Sequence, residues 1–159
     1  FKDIRQSKGG VCIPKQEILR YLVRYKREKR MWIFGYISDQ SPKYLNIHCW
    51  LPFLNHDTPV FTGGEQIMKK MNDPVFYVAM QRPERGKYIC TFRLITDKPA
   101  EMQENEITTR FFKMLEDTIK RDPRLYLWTH DRWKRNHEHF DKYYVMENGH
   151  VIKRKDVEL

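Results

Sequence analysis

The residues best suited to chemistry lie in positions 123–135. This segment combines two tryptophans and one tyrosine with a histidine, an aspartate and four cationic side chains. Because guanidinium groups pair with phosphate through two hydrogen bonds and stack on aromatic rings, the segment suits an anionic ligand carried on an apolar body. The alternative is that the tryptophans anchor the core and the cations form a solvated rim. Composition alone favours neither interpretation.

Asp39 is a second candidate, because it follows a nearly continuous apolar run at residues 31–37. Such a run predicts a strand buried on both faces, as in a parallel sheet. Ligands of open α/β sheets gather just beyond the carboxyl ends of strands, so Asp39 would lie where a working carboxylate is expected. A turn aspartate that binds its own backbone is the alternative, and position does not separate the two.

The remaining pattern predicts the elements that position these residues. Helical spacing of apolar residues indicates helices at 15–29, 65–71 and 104–121. Apolar runs around tight turns indicate antiparallel hairpins, formed by 75–80 with 87–95 and by the residues flanking Asn148-Gly149. The predicted fold class is α/β, with a mixed, mostly parallel sheet flanked by helices and a C-terminal β-hairpin appendage.

Charge and composition bound the possible functions. The 159 residues include 30 Lys+Arg against 21 Asp+Glu, a net charge of +9. This excess favours acidic partners such as nucleic acid, an anionic membrane surface, phosphorylated substrates or an acidic carrier protein. No apolar run approaches the roughly 18–20 residues of a membrane span. The three cysteines are far apart, which argues against a zinc ribbon, and we expect no metal site.

The order of these elements resembles the bacterial lipid A biosynthesis (lauroyl/myristoyl) acyltransferase family, and especially its Bacteroidetes-type lysophospholipid acyltransferases. The resemblance extends from residue 1 to about residue 135. Residues 37–40, 53–55 and 63–64 form one supporting block. The most specific part is the closing motif, which comprises Pro123, Tyr126, Trp128, His130, Arg132, Trp133 and Lys134.

The resemblance implies a glycerolipid acyltransferase-like fold and a transferase. Such an enzyme moves a fatty acyl group from an acyl carrier protein or coenzyme A thioester to a hydroxyl of a phosphorylated lipid, such as a lipid A precursor or lysophospholipid. It implies no cofactor besides this co-substrate. It also implies catalytic roles for Asp39 and Arg5. The residues that it implies in substrate binding are Gln40, His130, Arg132, Trp133 and Lys134.

The family's reaction uses a histidine followed at the fifth position by an aspartate or glutamate. The acid orients the histidine, which takes the proton of the acceptor hydroxyl. None of the six histidines in this chain is followed in this way. Since the resemblance puts that motif upstream of Phe1, we expect residues 1–135 to be the C-terminal part of an acyltransferase domain that is inactive alone. Residues 136–159 are expected to form a polar tail with a hairpin.

The expected location is the cytoplasmic face of the bacterial inner membrane, where cations meet anionic lipid. A basic nucleic-acid-binding or protein-binding module without catalysis is the alternative, because aromatic and cationic side chains also bind bases. The aromatic residues lie in core-like runs, however, and no RNA-binding or zinc motif is present. We therefore expect no nucleic-acid partner.

Overall fold

The computed structural model describes residues 2–155, and the chain divides into two compact units between Gly35 and Tyr36. The first unit contains helix α1 (Lys2–Gln6), a 3-10 turn (Lys15–Glu17) and helix α2 (Ile18–Arg27). The amphipathic helix predicted for residues 15–29 is confirmed. Its last turn carries three cations, where the negative end of the helix dipole stabilises positive charge.

The strand predicted for residues 31–37 is wrong. These residues form no regular element, and Met31 and Ile33 are 101% and 90% exposed. A strand needs a neighbour that pairs with its backbone N–H and C=O groups. No strand among residues 2–155 pairs with this run. Its apolar composition predicted burial on both faces, whereas Trp32, Phe34 and Tyr36 are half-buried and the residues that alternate with them are exposed.

The second unit contains three sheets of two strands each within the described range. Their strands are β1 (Cys49–Phe53), β2 (His56–Val60), β3 (Val75–Glu84), β4 (Lys87–Thr96), β5 (Tyr144–Glu147) and β6 (His150–Lys153). The α/β class is confirmed, but the mostly parallel sheet is wrong, because all three pairs are antiparallel hairpins. A parallel pair needs a crossover of a dozen or more residues, whereas two residues connect each of these pairs.

Local turn chemistry explains two of the three hairpins. Leu54 and Asn55 both have positive φ between β1 and β2, and Asn148 and Gly149 do so between β5 and β6. Two central residues with positive φ match the twist of the flanking strands. Both hairpins predicted from sequence, including the one at Asn148-Gly149, are confirmed.

Three helices complete the second unit: α3 (Gly63–Met71), α4 (Glu106–Arg121) and α5 (His137–Tyr143). The predicted helices at 65–71 and 104–121 are confirmed within two residues. The buried Glu65 carboxylate joins α3 to α4, because its Oε2 accepts hydrogen bonds from the N–H and Oγ1 of Thr108 at 2.9 and 2.6 Å.

Helix α4 packs against two hairpins. One core cluster joins it to β1–β2 and contains Phe53, Val60, Phe112, Ile119 and Tyr126. A second joins it to β3–β4 and contains Val75, Tyr77, Ala79, Ile95 and Ile107. Residues 136–155 form a third cluster with the chain around Ile47, built on Phe140 and Val151. The boundary predicted at residue 135 stays a prediction.

Candidate functional site

Residues 123–135, the closing segment, follow the end of α4 and have little regular structure. Two 3-10 turns, Pro123–Leu125 and Trp128–His130, are their main elements. The Asp122 carboxylate starts the first turn by accepting the backbone N–H of Arg124. Hydrogen bonds from the Arg124 side chain and backbone lower the pKa of Asp122. Asp131 ends the second turn in the left-handed conformation, at φ 52°.

His130 holds the turn at residues 38–41, which we call the acidic turn. The backbone N–H of Ser41 donates to His130 Nε2 at 2.9 Å. Nε2 must therefore be unprotonated, and the imidazole is neutral. Burial lowers the pKa of His130, and the nearby charges of Lys134 and Arg132 lower it further. His130 thus serves as a hydrogen-bond acceptor for backbone.

Two more side chains of the closing segment fix the acidic turn. The buried Tyr126 donates its hydroxyl to the carbonyl oxygen of Asp39 at 3.4 Å, and burial raises the pKa of this tyrosine. Arg135 Nη1 donates to Ser41 Oγ at 3.4 Å. The turn is thereby held at three points. The Asp39 side chain remains half-buried, and Gln40 is exposed.

Arg132 is a buried cation beside this turn. It is 2% exposed, its Nη2 donates to the carbonyl oxygen of Pro59 at 2.7 Å, and its guanidinium lies 5.5 Å from the centre of the Phe112 ring. Its Nε and Nη1 are buried and have no hydrogen-bond partner among residues 2–155. Burial lowers the pKa of Arg132, while Tyr126 and the Asp39 carboxylate act in the opposite direction. Asp39 therefore helps to compensate the buried charge.

Trp133 and Lys134 point to different environments. Trp133 is half-buried, with its Nε1–H donating to Thr58 Oγ1 at 2.8 Å and its ring packing near Phe53 and His56. Lys134 is exposed, and its Nζ donates to the carbonyl oxygen of His130 at 2.9 Å. Trp133 anchors the segment to β1–β2, and Lys134 adds a solvent-accessible positive charge.

The structure brings together six of the seven candidate site residues. Asp39 and Gln40 lie on the acidic turn, and the other four lie on the closing segment that holds it. Arg5 is exposed on α1, in the unit of residues 1–35, and is described with that unit.

Sequence reasoning missed the side chains that connect the two parts of the site. Ser41 and Arg135 bind each other and were not candidates. The Thr58 hydroxyl accepts a hydrogen bond from the Trp133 indole N–H and donates one to the carbonyl oxygen of His56. The polar turn after an apolar run could have suggested Ser41, but nothing in the sequence marks a carbonyl oxygen such as that of Pro59 as the partner of Arg132.

The chemistry available here combines the carboxylate of the half-buried Asp39, two guanidinium donors that no group in the described part of the chain binds, and a neutral histidine. The guanidinium donors suit phosphate or carboxylate oxygens. The Asp39 carboxylate can accept a hydrogen bond from a hydroxyl. The site therefore suits a ligand with both an anionic group and a hydroxyl.

Comparisons with known proteins identify the chain at the family level. No curated protein and no solved structure matches it. In residues 2–155, no helix has both the length and the apolar character needed to cross a bilayer. The family described as bacterial lipid A biosynthesis acyltransferase matches residues 1–135, which include the acidic turn and the whole closing segment. The chain belongs to the bacterial lipid A biosynthesis acyltransferase family.

Proposed function

We propose that the protein transfers a fatty acyl chain from an acyl carrier protein or coenzyme A thioester to a hydroxyl of a phosphorylated lipid, such as a lipid A precursor or lysophospholipid. Family membership supports acyl transfer in general. The net charge of +9 suits a phosphorylated acceptor and an acidic carrier protein. In this reaction the ester C–O bond forms, the thioester C–S bond breaks, and the hydroxyl proton passes through a base to the thiolate.

The observation that carries the proposal is the fixed position of Asp39 beside the buried Arg132. Tyr126 fixes the backbone of Asp39, and a carboxylate on a fixed backbone can orient the acceptor hydroxyl, since positioning a reacting group removes much of its entropic cost. The catalytic role of Arg5 rests on the resemblance alone. We assign none of the six histidines as the general base, because none has an acid at the fifth following position.

Substrate binding is assigned to the residues around Asp39. The exposed Lys134 and Gln40 are accessible to the acceptor phosphate or to the phosphate of the donor's phosphopantetheine arm. Arg132 offers Nε and Nη1 to the same anion. Because Arg132 is 2% exposed, this contact requires the closing segment to shift. His130 and Trp133 would then contribute by fixing the two sides of the segment.

The proposed setting is the cytoplasmic face of the bacterial inner membrane, against anionic lipid and without a cofactor besides the thioester. We propose no nucleic-acid partner. Tyr126 and Trp133 pack against Phe53 in the core, so their rings are not available as a stacking surface for bases.

The test uses membranes of cells that express the complete gene, with labelled acyl carrier protein and coenzyme A thioesters and a panel of lipid acceptors. Asp39→Asn is compared with Asp117→Asn, which removes an exposed carboxylate from α4. We expect wild type and Asp117→Asn to label a lipid, and Asp39→Asn to lose about a hundredfold in rate. Absence of transfer from both donors to every acceptor, with folded protein, would contradict the proposal and favour a binding module.

A further inference from the structure

One face of the β3–β4 hairpin is apolar and exposed. Residues directly opposite each other in an antiparallel pair project to the same side. The register puts six apolar side chains on one face, in the pairs Phe76–Leu94, Val78–Phe92 and Met80–Cys90. Four of the six are between 43% and 58% exposed. An apolar patch of this kind on a folded protein marks an interaction surface.

A cationic cavity of about 340 Å³ lies beside this face and shares Met80 with it. The end of β3 contributes Arg82 to its lining, and the residues at and after the end of α4 contribute Arg121, Asp122 and Arg124. Three guanidinium groups thus meet one carboxylate. The cavity carries an excess of two positive charges next to an apolar surface.

The single carboxylate is already neutralised by one of the three arginines. Asp122 binds Arg124 through two parallel hydrogen bonds, from Nε to Oδ1 at 2.8 Å and from Nη2 to Oδ2 at 2.9 Å. Among residues 2–155, Arg82 and Arg121 form no ion pair within 4 Å, and Glu84 and Asp122 are paired with Lys87 and Arg124. Arg82 lies 5.9 Å from the centre of the Tyr88 ring, and its charge adds a smaller contribution to the lowered pKa of Asp122. Two guanidinium groups therefore remain to bind an anion, and their planar donors match the oxygens of a phosphate group.

We propose that this surface docks on a bilayer containing anionic phospholipid, with the apolar face in the headgroup region and a lipid phosphate in the cavity of Arg82 and Arg121. The choice of a lipid as phosphate carrier rests on the proposed function. Arg85 and Lys87 add cations at the hairpin turn, where Glu84 is the nearby acid. A second copy of the chain would bring the same cations together, whereas anionic lipid neutralises them.

The test measures cosedimentation of the 159-residue chain with phosphatidylcholine vesicles, with and without phosphatidylglycerol. Arg82→Gln/Arg121→Gln is compared with Lys43→Gln/Lys113→Gln, which removes two exposed cations elsewhere in the same unit. We expect the arginine double variant to bind phosphatidylglycerol vesicles about tenfold more weakly than the lysine control. An equal loss in both variants would overturn the site, because the attraction would then depend only on net charge.

Two further measurements separate the other occupants. Phe92→Ser is expected to weaken vesicle binding several-fold while thermal unfolding stays unchanged. If titration with inorganic phosphate gives binding that depends on Arg82 and Arg121 while vesicles do not bind, the site takes a soluble phosphate and the docking proposal fails. A third outcome is that wild type sediments as a dimer, Phe92→Ser sediments as a monomer, and neither protein binds vesicles. A second copy of the chain would then cover the face, and the docking proposal would fail.

Vesicle binding does not require acyl transfer, so the two proposals can fail separately. Vesicle binding that depends on Arg82 and Arg121, in a protein that transfers no acyl chain, would retain the docking surface and remove the proposed enzyme function. If the protein transfers an acyl chain and the arginine double variant binds vesicles as well as wild type does, the enzyme function is retained and the docking surface is removed.

Discussion

The closing segment and the β3–β4 hairpin differ in what their side chains contact. The closing segment has little regular structure, yet the polar groups of Tyr126, His130 and Trp133 each bind another part of the chain. The hairpin has ten residues in each strand, yet it exposes an entire apolar face. Regular secondary structure and a fixed environment are therefore separate properties. The irregular segment is held by polar long-range contacts of three side chains, whereas the hairpin is held through its opposite face, where Tyr77 packs on α4 and donates to Thr118 Oγ1.

The two regions also differ in what they leave uncompensated. The closing segment buries a guanidinium in which two donors have no hydrogen-bond partner within residues 2–155, and the hairpin exposes large apolar side chains. A buried polar group without a partner and a hydrated apolar face are both unfavourable. In each region the unmatched groups indicate the chemistry of a partner. Arg132 suits an anion, and the hairpin face suits an apolar layer.

The largest expected effect comes from removing the core under the closing segment. Phe53 is fully buried and packs against Phe112, Tyr126 and Trp133. Phe53→Ala should lower the free energy of unfolding by about 3–5 kcal/mol, because it removes apolar contacts and leaves a cavity. Urea denaturation followed by tryptophan fluorescence measures the change.

The matched substitution on the hairpin is Phe92→Ala. Phe92 is 58% exposed, so its replacement should change the free energy of unfolding by only about 0.5 kcal/mol. A loss comparable to that of Phe53→Ala would mean that the hairpin face is covered in the isolated chain. The two regions would then not differ in how far their aromatic side chains are buried.

The sequence predicted the helices and turns that depend on residues close together in the chain. The helical repeat of α4 and the Asn148-Gly149 turn are local signals, and both structures formed as expected. The run at residues 31–37 shows where this reasoning stops. Its apolar composition reports a preference for burial, but burial needs a partner strand, and composition does not name one.

The site was predicted only in part for a similar reason. Residue types marked His130, Arg132 and Trp133 in one segment and Asp39 as a separate candidate, but the bonding partners of the segment are largely backbone atoms. Pro59 supplies a carbonyl oxygen, and Ser41 supplies an N–H. Every residue type has a carbonyl group, so no sequence pattern could identify these contacts.

The next largest expected effect, a loss of acyl transfer, comes from removing the buried charge of Arg132. Arg132→Met keeps an apolar side chain over Phe112 and removes the unbonded Nε and Nη1. Replacing a poorly compensated buried ion with an apolar residue can stabilise a protein, whereas losing the hydrogen bond to the buried Pro59 carbonyl costs about 1–3 kcal/mol. We therefore expect the free energy of unfolding to change by no more than about 1 kcal/mol. Acyl transfer should fall at the same time. Urea denaturation and the membrane assay check both, and a stability loss of several kcal/mol would make Arg132 a structural residue.

A smaller effect is expected from one hydrogen bond of the closing segment. Trp133→Phe removes the indole N–H that donates to Thr58 Oγ1 while keeping an aromatic ring near Phe53. The free energy of unfolding should fall by about 1 kcal/mol. Trp128→Phe is the control for loss of a hydrogen bond at an exposed position, since Trp128 is 50% exposed and its indole N–H donates to the nearby Pro123 carbonyl. If both substitutions lower the free energy of unfolding equally, the hydrogen bond between Trp133 and Thr58 stabilises the protein no more than an exposed local hydrogen bond.

The smallest expected effect is a pH dependence that reports the contact between His130 and Ser41. The folded-state pKa of His130 is below its ordinary value of 6.5, so at mildly acidic pH the unfolded chain binds more protons than the native chain. The stability contributed by neutral His130 is complete above that ordinary value and is lost as pH falls through it toward the folded-state pKa.

His130→Gln retains an acceptor for the Ser41 N–H but does not titrate. The stability difference between wild type and His130→Gln should therefore shift against wild type as pH falls from about 8 to about 5, and urea denaturation at several pH values measures it. If the stability difference between wild type and His130→Gln does not depend on pH, a neutral imidazole does not hold the acidic turn. The closing segment would then lack one of the long-range contacts that distinguish it from the hairpin.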